Sequence, residues 1–512
     1  MSAVNSKQDR HIQPLTIENV FNRQKQRCLS FLLVCVFIAT CLFPPLSFAA
    51  IDFPFLKQSS QFFRGFSDDL ETSGYLKNET AYRFREPRSY TKIKNFVYFD
   101  SRYTPNDWAK MVFVGRAYYD LVYDMFEYDT ISARNKRDID QPLAFVENLS
   151  KEKDSPVAEI RELYVQLEND NMDVRIGKQF VIWGVLTGVR VVDEMNPMNF
   201  REFITPALLD YRTPLWSMKS NFYFGDSSSF QLLWIPEMRF HEPAPPGSEW
   251  ELFQTVPGTQ YPKSFVLGNS EVGLKLETTV KDAAVSLSYF STWDDFPVLF
   301  RDAKVATSGV IEDPTFYPRY RRMRMFGSTL DMPLMGQVLK MEAAYVLGKY
   351  FGLKAVDRDG DGKLDNQGVL RRSHIRLGAG MDFNFLRTEV SPSVTQWIIR
   401  NYDTAILQDK FDTSVNLFLR KTFLKRNTAF ELLAIYLLNF DELYLKPKLS
   451  FSPASTFQVS VGLDLFYGQM SRFGVIARDG KPTELILIEQ RARFIGNFSG
   501  NDRIFTEFKY SF

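Results

Sequence analysis

Four aspartates at close spacing, Asp357, Asp359, Asp361 and Asp365, are the sequence's clearest arrangement of chemistry-bearing residues. The run Asp357-Arg-Asp359-Gly-Asp361-Gly-Lys-Leu-Asp365 offers alternating carboxylates around a turn glycine, the first part of an EF-hand-type calcium loop. The residue where the closing bidentate glutamate belongs is Gly368, so a complete EF-hand is excluded. A shorter loop of the same chemistry remains, and structural calcium is the one cofactor the sequence suggests. Ser373-His374 places a hydroxyl beside an imidazole, the start of a hydrolytic pair with no evident third member. A third set is larger: Arg175 and Gln179, then Arg190, Asp193, Glu194, Arg201, Glu202, Asp210 and Arg212. Apolar spacers (Val191, Val192, Met195, Met198, Phe200) interrupt these charges.

What positions such residues depends on where the chain goes. Cys28, Cys35 and Cys41, the three cysteines, all lie in one apolar stretch, Leu29 to Leu46. Arg23, Lys25 and Arg27 precede it and Ser47-Phe48-Ala49-Ala50 follows, the layout of a secretory signal cleaved after Ala49. A lipoprotein signal acylated at Cys41 and an uncleaved anchor are the alternatives. Cleavage would leave a chain without thiols, and with His241 and His374 as its only histidines. Disulfides, thiolate metal sites and multi-histidine metal sites are then poorly supported. The formal net charge of +1 gives no drive towards nucleic acid.

Aromatics make up 15% of the chain, yet its mean hydropathy is −0.21. A transmembrane barrel reconciles the two, with aromatics on its lipid face and interface belts and polar groups in its lumen. After the signal no apolar run is long enough for a spanning helix. Strand-period alternation recurs instead. Ile504, Thr506, Phe508, Tyr510 and Phe512 share one face of the last segment, against Arg503, Phe505, Glu507, Lys509 and Ser511. Ile375, Leu377, Ala379, Met381 and Phe383 likewise oppose Arg376, Gly378, Gly380 and Asp382. Short polar turns near 169–173, 225–228, 280–282, 332–336, 424–427 and 452–455 alternate with longer connections near 127–157, 184–212, 238–268, 293–318, 351–370 and 468–500. The expected fold is all-β, an antiparallel transmembrane barrel of about 16–18 strands, even in number, with both termini in the periplasm. Its expected parts are a signal peptide (1–49), a periplasmic leader serving as plug or partner contact (50–75), and a barrel (76–512) with an inserted loop at 184–212. Phe508, Tyr510 and Phe512 would be the signal read by the barrel assembly machinery.

Between Asn95 and Pro236 the sequence resembles a known family. Gly115-Arg-Ala-Tyr-Tyr-Asp120, Arg161-Glu-Leu-Tyr-Val165, Arg175-Ile-Gly-Lys-Gln179, Trp183-Gly184, Asn196-Pro197, Arg201-Glu202-Phe203, Pro214-Leu-Trp216 and Leu232-Leu-Trp-Ile-Pro236 carry the likeness. The chain is similar to the outer-membrane barrels of Gram-negative bacteria known only as a domain of unknown function, DUF1302. The resemblance extends from about Leu70 to Phe512. It implies a single-chain barrel in the bacterial outer membrane, embedded in outer-membrane lipid, with no reaction and no catalytic residue to carry over. It further implies a place beside inner-membrane efflux pumps, through a periplasmic or inner-membrane partner.

The functional expectation is therefore a porin-like channel or export conduit, not an enzyme, with a polar and partly occluded lumen. The charged residues of 175–212 would form its constriction, and the 184–212 segment would fold into the pore. A charged surface loop and a catalytic carboxylate site are the alternatives for that segment. An alternative cargo is hydrophobic: a lipid, terpenoid or aromatic compound. A phospholipase-type hydrolase built on Ser373 and His374 is the remote alternative.

Overall fold

The computed structural model describes residues 69–126, 157–244, 248–250, 259–305, 311–354, 356–423, 427–478, 481–489 and 491–512. The signal segment and residues 50–68 of the expected leader lie outside them. One compact unit is Met1–Leu70, of which Asp69 and Leu70 are described; the other is Glu71–Phe512. That second unit is a closed sheet of eighteen strands, each hydrogen-bonded to its neighbours in chain order. The first strand, Leu70–Arg83, pairs with the last, Arg503–Ser511, and closes the ring. Closure leaves no free edge, so every backbone group in the wall has a partner without water. Among the described residues no helix is long and apolar enough to cross a membrane, and crossing falls to the strands.

The barrel begins at Leu70 rather than at residue 76. Glu71-Thr-Ser-Gly74 carries no apolar alternation, but Gly74 exchanges two backbone hydrogen bonds of 3.0 Å with Phe512, which draws the segment into the wall. Five of the six expected short turns are present, with two more at 107–108 and 386–387; the sixth, near 424–427, lies mostly outside the described residues. The opposite rim carries the long connections and also three short ones, 84–88, 400–410 and 438–441. The expected connection near 293–318 has strands of its own. Ile311–Arg319 pairs with Val298–Val305 in a hairpin separate from the barrel sheet, and Arg322–Leu334 is a wall strand. A second such hairpin, Arg472–Arg478 with Lys481–Glu489, lies in the last long connection.

Side chains follow the pleat. Ile504, Phe508 and Tyr510 are exposed on the outer face, whereas Arg503 and Phe505 are buried on the inner one. Leu377 is exposed, and its neighbours Arg376 and Gly378 are buried. One charged pair needs a local correction to this rule. In strand Val157–Asn169 the register slips so that Ile160 and Glu162 oppose successive residues Gly115 and Val114. This bulge leaves Arg161 as the extra residue and turns it towards the interior, where it is buried.

Candidate functional site

The main chain leaves the wall after Gln179 and returns at Leu215, and the intervening segment folds into the lumen. Asn196 staples its two ends together, accepting from the Val181 amide and donating to the Thr213 carbonyl, each at 2.8 Å. Its apolar spacers then meet the wall. Trp183, Leu186, Val191, Val192 and Met195 join one buried cluster with Leu233, Phe290, Met325 and Val346 from four different strands. Inward glycines provide the sockets. A Cβ on Gly378 would stand 2.5 Å from a Leu186 methyl, and one on Gly273 would stand 2.7 Å from the Trp183 ring.

A buried carboxylate holds the segment at depth. Glu342, five residues into strand Gln337–Gly352, accepts hydrogen bonds from the amides of Val185 (2.6 Å), Leu186 (2.8 Å) and Val192 (3.0 Å). These donors belong to an irregular segment with no strand partner, and without Glu342 they would be buried unsatisfied. Arg376 pairs with Glu194 at 2.5 Å nearby. Burial pushes the Glu194 carboxyl up, but Arg376 and Arg190 outweigh it and hold its pKa down at about 2. On the other flank Lys92 and Lys94 each contact Glu202 at 2.5 Å. Burial opposes ionisation of Glu202, and the two lysines prevail, leaving it well below the usual carboxylate range.

The last connection uses the same device. Glu442, fully buried at the start of strand Glu442–Ala454, accepts from four successive amides, Arg493 to Gly496. Phe498 and Ile495 then pack with Tyr444 and Phe466 of the wall and with Phe203 of the first insertion.

These two loops fill one side of the lumen and leave the other open. A cavity of about 1370 Å³ runs between them and the wall formed by the last strands and the first. Its lining extends from Asp409 and Phe440 at the long-connection rim to Gln458 and Lys509 near the short-turn rim. Lys77, Lys446, Lys448, Glu431 and Glu507 line the wet side. His241 also reaches the cavity, with its Nδ1 accepting from the Met198 amide at 2.9 Å. Burial and the nearby Arg190 push its pKa down to about 3, so the ring is neutral at ordinary pH.

The expected constriction residues separate into three groups. Arg190, Glu194 and Asp210 line the cavity, and Arg201 and Glu202 line a small adjoining pocket. Gln179, Asp193 and Arg212 do not reach open space. Asp193 and Arg212 form an ion pair, 2% and 3% exposed, and Gln179 donates to the Ser217 carbonyl at 3.2 Å. Their charge and polarity hold the insertion's own fold. Arg175 faces inward on its strand with its guanidinium over the Tyr164 ring. Glu342, Arg376, Glu442 and the lysines of the open wall were missed. The inward position of Arg376, Gly378 and Gly380 was readable from alternation, and their partners in a distant loop were not.

Asp357, Asp359 and Asp361 bring carboxylate oxygens within 4.8 Å of one another, a spacing that fits a hard cation. Asp365 stands apart, accepting from the Arg358 amide at 3.2 Å. Ser373 and His374 are consecutive in a strand and point to opposite faces, so the hydroxyl cannot reach the imidazole. His374 Nε2 instead accepts from Arg376 Nε at 2.9 Å inside the lumen.

Three solved structures are similar to this chain over most of its length. OccK9 (OpdG) of Pseudomonas aeruginosa is 8% identical with a TM-score of 0.47, over 87% of this chain and 99% of that one. OccAB2 of Acinetobacter baumannii is 11% identical with a TM-score of 0.45, over 87% and 98%. The outer membrane protein OmpT of Vibrio cholerae is 12% identical with a TM-score of 0.37, over 86% and 99%. No curated protein matches the sequence. A family described as "Protein of unknown function (DUF1302)" matches residues 97–422, more than half of the chain, and the chain belongs to that family.

Proposed function

We propose that this protein is a diffusion channel of the Gram-negative outer membrane, narrowed by two loops folded into its own lumen. The observation that supports this most is the cavity, whose lining passes from the long-connection rim almost to the short-turn rim along one side of the wall. Polar and charged side chains on that side keep it wet, as a solute path requires. The packed side has no such role: it fixes the width of the path by anchoring residues 180–214. A conduit of this kind needs no catalytic group, and the one hydroxyl–imidazole neighbour pair is split across the wall.

The test is single-channel recording of the purified protein in planar bilayers. Cysteines placed at Gln458 and at Asp409, in a chain whose own cysteines all precede residue 42, give a second readout. Stable conductance, with both cysteines accessible to a membrane-impermeant thiol reagent from their own sides and block of current on labelling, is the expected result. A silent barrel whose current does not appear even when Glu342 is replaced would overturn the reading.

A further inference from the structure

The open half of the lumen is not uniformly polar, and its chemistry narrows the cargo; the argument rests on the channel reading above. Strand Thr428–Leu437 carries apolar residues on both faces. Leu433, Ile435 and Leu437 point inward and line the cavity. Together with Ile204 and Phe494 they pack in part against the buried cluster around Phe203, Tyr444, Phe466 and Phe498, yet each stays half-buried and open to the cavity. A wall that only passed water and ions would have polar groups at these positions.

Beside this stripe lies an unbalanced group of cations. Leu433 is directly opposite Lys446, and Glu431 is opposite Lys448, on the neighbouring strand. Further round the wall Lys77 stands directly opposite Lys509. Like charges in directly opposed positions destabilise an antiparallel pair. Compensation is partial. Lys77 pairs with Glu79 at 2.5 Å and Lys448 with Glu507 at 2.6 Å. Glu431 is 3.5 Å from Arg420. Lys509 rests on the Tyr75 ring at 4.3 Å, and Lys446 donates to the Thr205 carbonyl. Among the described residues neither Lys446 nor Lys509 has a carboxylate partner.

We propose that this wall binds an amphipathic organic anion, a single carboxylate on an extended apolar body. The carboxylate sits between Lys446 and Lys448, beside the end of the apolar stripe, and the body lies along Leu433, Ile435 and Leu437. Four residues of strand set the length of that body at roughly 14 Å. Neither a small hydrophilic anion nor an uncharged hydrocarbon would use both halves of the site.

Three probes separate these cases: biphenyl-4-carboxylate, acetate, and biphenyl-4-ylmethylammonium, which has a similar body and the opposite charge. In single-channel recordings biphenyl-4-carboxylate should interrupt the current at concentrations about tenfold below either of the others, the ratio expected when one charge-assisted contact is gained. Lys446→Gln and Ile435→Asn should each raise its half-blocking concentration about fivefold, with folding checked by heat-modifiable migration. Equal block by the carboxylate and the ammonium compound, or by the carboxylate and acetate, would overturn the assignment on the wild-type protein alone. Should the barrel conduct nothing, fluorescence titration of the detergent-solubilised protein with biphenyl-4-carboxylate still decides. Saturable binding lost in Lys446→Gln keeps the site and discards the channel, and absence of binding discards the site.

Discussion

Two halves of one wall behave as different materials. Along the strands between Met172 and Phe385 the inward positions that meet the first insertion are largely glycine, alanine or apolar residues, among them Gly273, Gly327, Ala344, Gly378 and Gly380, with Glu342 and Arg376 as its charged anchors. That half receives a loop, and its contact with the loop is packed like a soluble core. Along the strands from Phe411 round to Arg83 many inward positions are lysine, glutamate, aspartate or arginine, and several of them line the cavity. Both halves alternate with the same period, and both present apolar groups to lipid. The size of the inward side chain therefore reveals something that alternation does not. Small inward residues mark where the protein packs against itself, and long charged ones either anchor a loop, as Glu342 and Glu442 do, or line the cavity.

The sharpest way to break this contrast is to remove Glu342. Glu342→Ala strips three buried amides of their acceptor, and we expect the docked insertion to lose about 3–5 kcal/mol, as when a buried charged partner is deleted. Limited proteolysis within 184–212 and a rise in conductance would report the undocking. Glu342→Gln keeps a carbonyl acceptor and should lose only about 1–2 kcal/mol. Gly378→Leu comes next. Its side chain would occupy the space of Leu186 and Val191, and overpacking of this kind costs about 1–3 kcal/mol. If proteolysis of residues 184–212 in Gly378→Leu matched the wild type, the glycine sockets would not be what seats the loop.

The sequence made the wall legible because a sheet with lipid on one face and polar groups on the other must alternate. Ile504, Phe508 and Tyr510 could be assigned outward from period alone. The inward fold of 180–214 was legible in kind, from charges spaced by Val191, Val192 and Met195, although the role of each charge was not. Asp193 and Arg212 satisfy one another, and only the folded loop shows this. Glu342 was invisible because its function lies in backbone amides about 150 residues earlier, and amides leave no mark in a sequence. Connections such as 438–441 were lost for a different reason: a three- or four-residue link reads alike at either rim.

Acid should loosen the packed half, and the sign can be worked out from its loop groups. His241 has a pKa of about 3 when docked against an ordinary 6.5, so below pH 6.5 the released loop binds more protons and docking weakens. Glu194, at about 2 against an ordinary 4.5, acts in the same direction below pH 4.5. Asp295 opposes them. Burial and its carboxylate neighbours raise its pKa well above 3.8, which favours docking as pH falls towards that value and adds nothing below it. Protease access to 184–212 should therefore increase most steeply between about pH 4 and pH 3. In Glu194→Gln that steep part should flatten.

The smallest effect is expected in the open half, and it is the control that gives the others meaning. Lys448→Gln removes a cation whose ion pair with Glu507 is partly exposed, with side chains 23% and 21% accessible. Such pairs contribute about 0–1 kcal/mol, so urea unfolding should shift little. Its effect belongs to the solute path: Glu507 loses its partner, the wall becomes less positive, and the reversal potential in a salt gradient should move towards cations. A destabilisation as large as that of Glu342→Ala would mean that the charged wall is itself packed, and the distinction between the two halves would fail. A selectivity shift without loss of stability would place Lys448 where solutes pass, at a site the barrel does not need in order to stand.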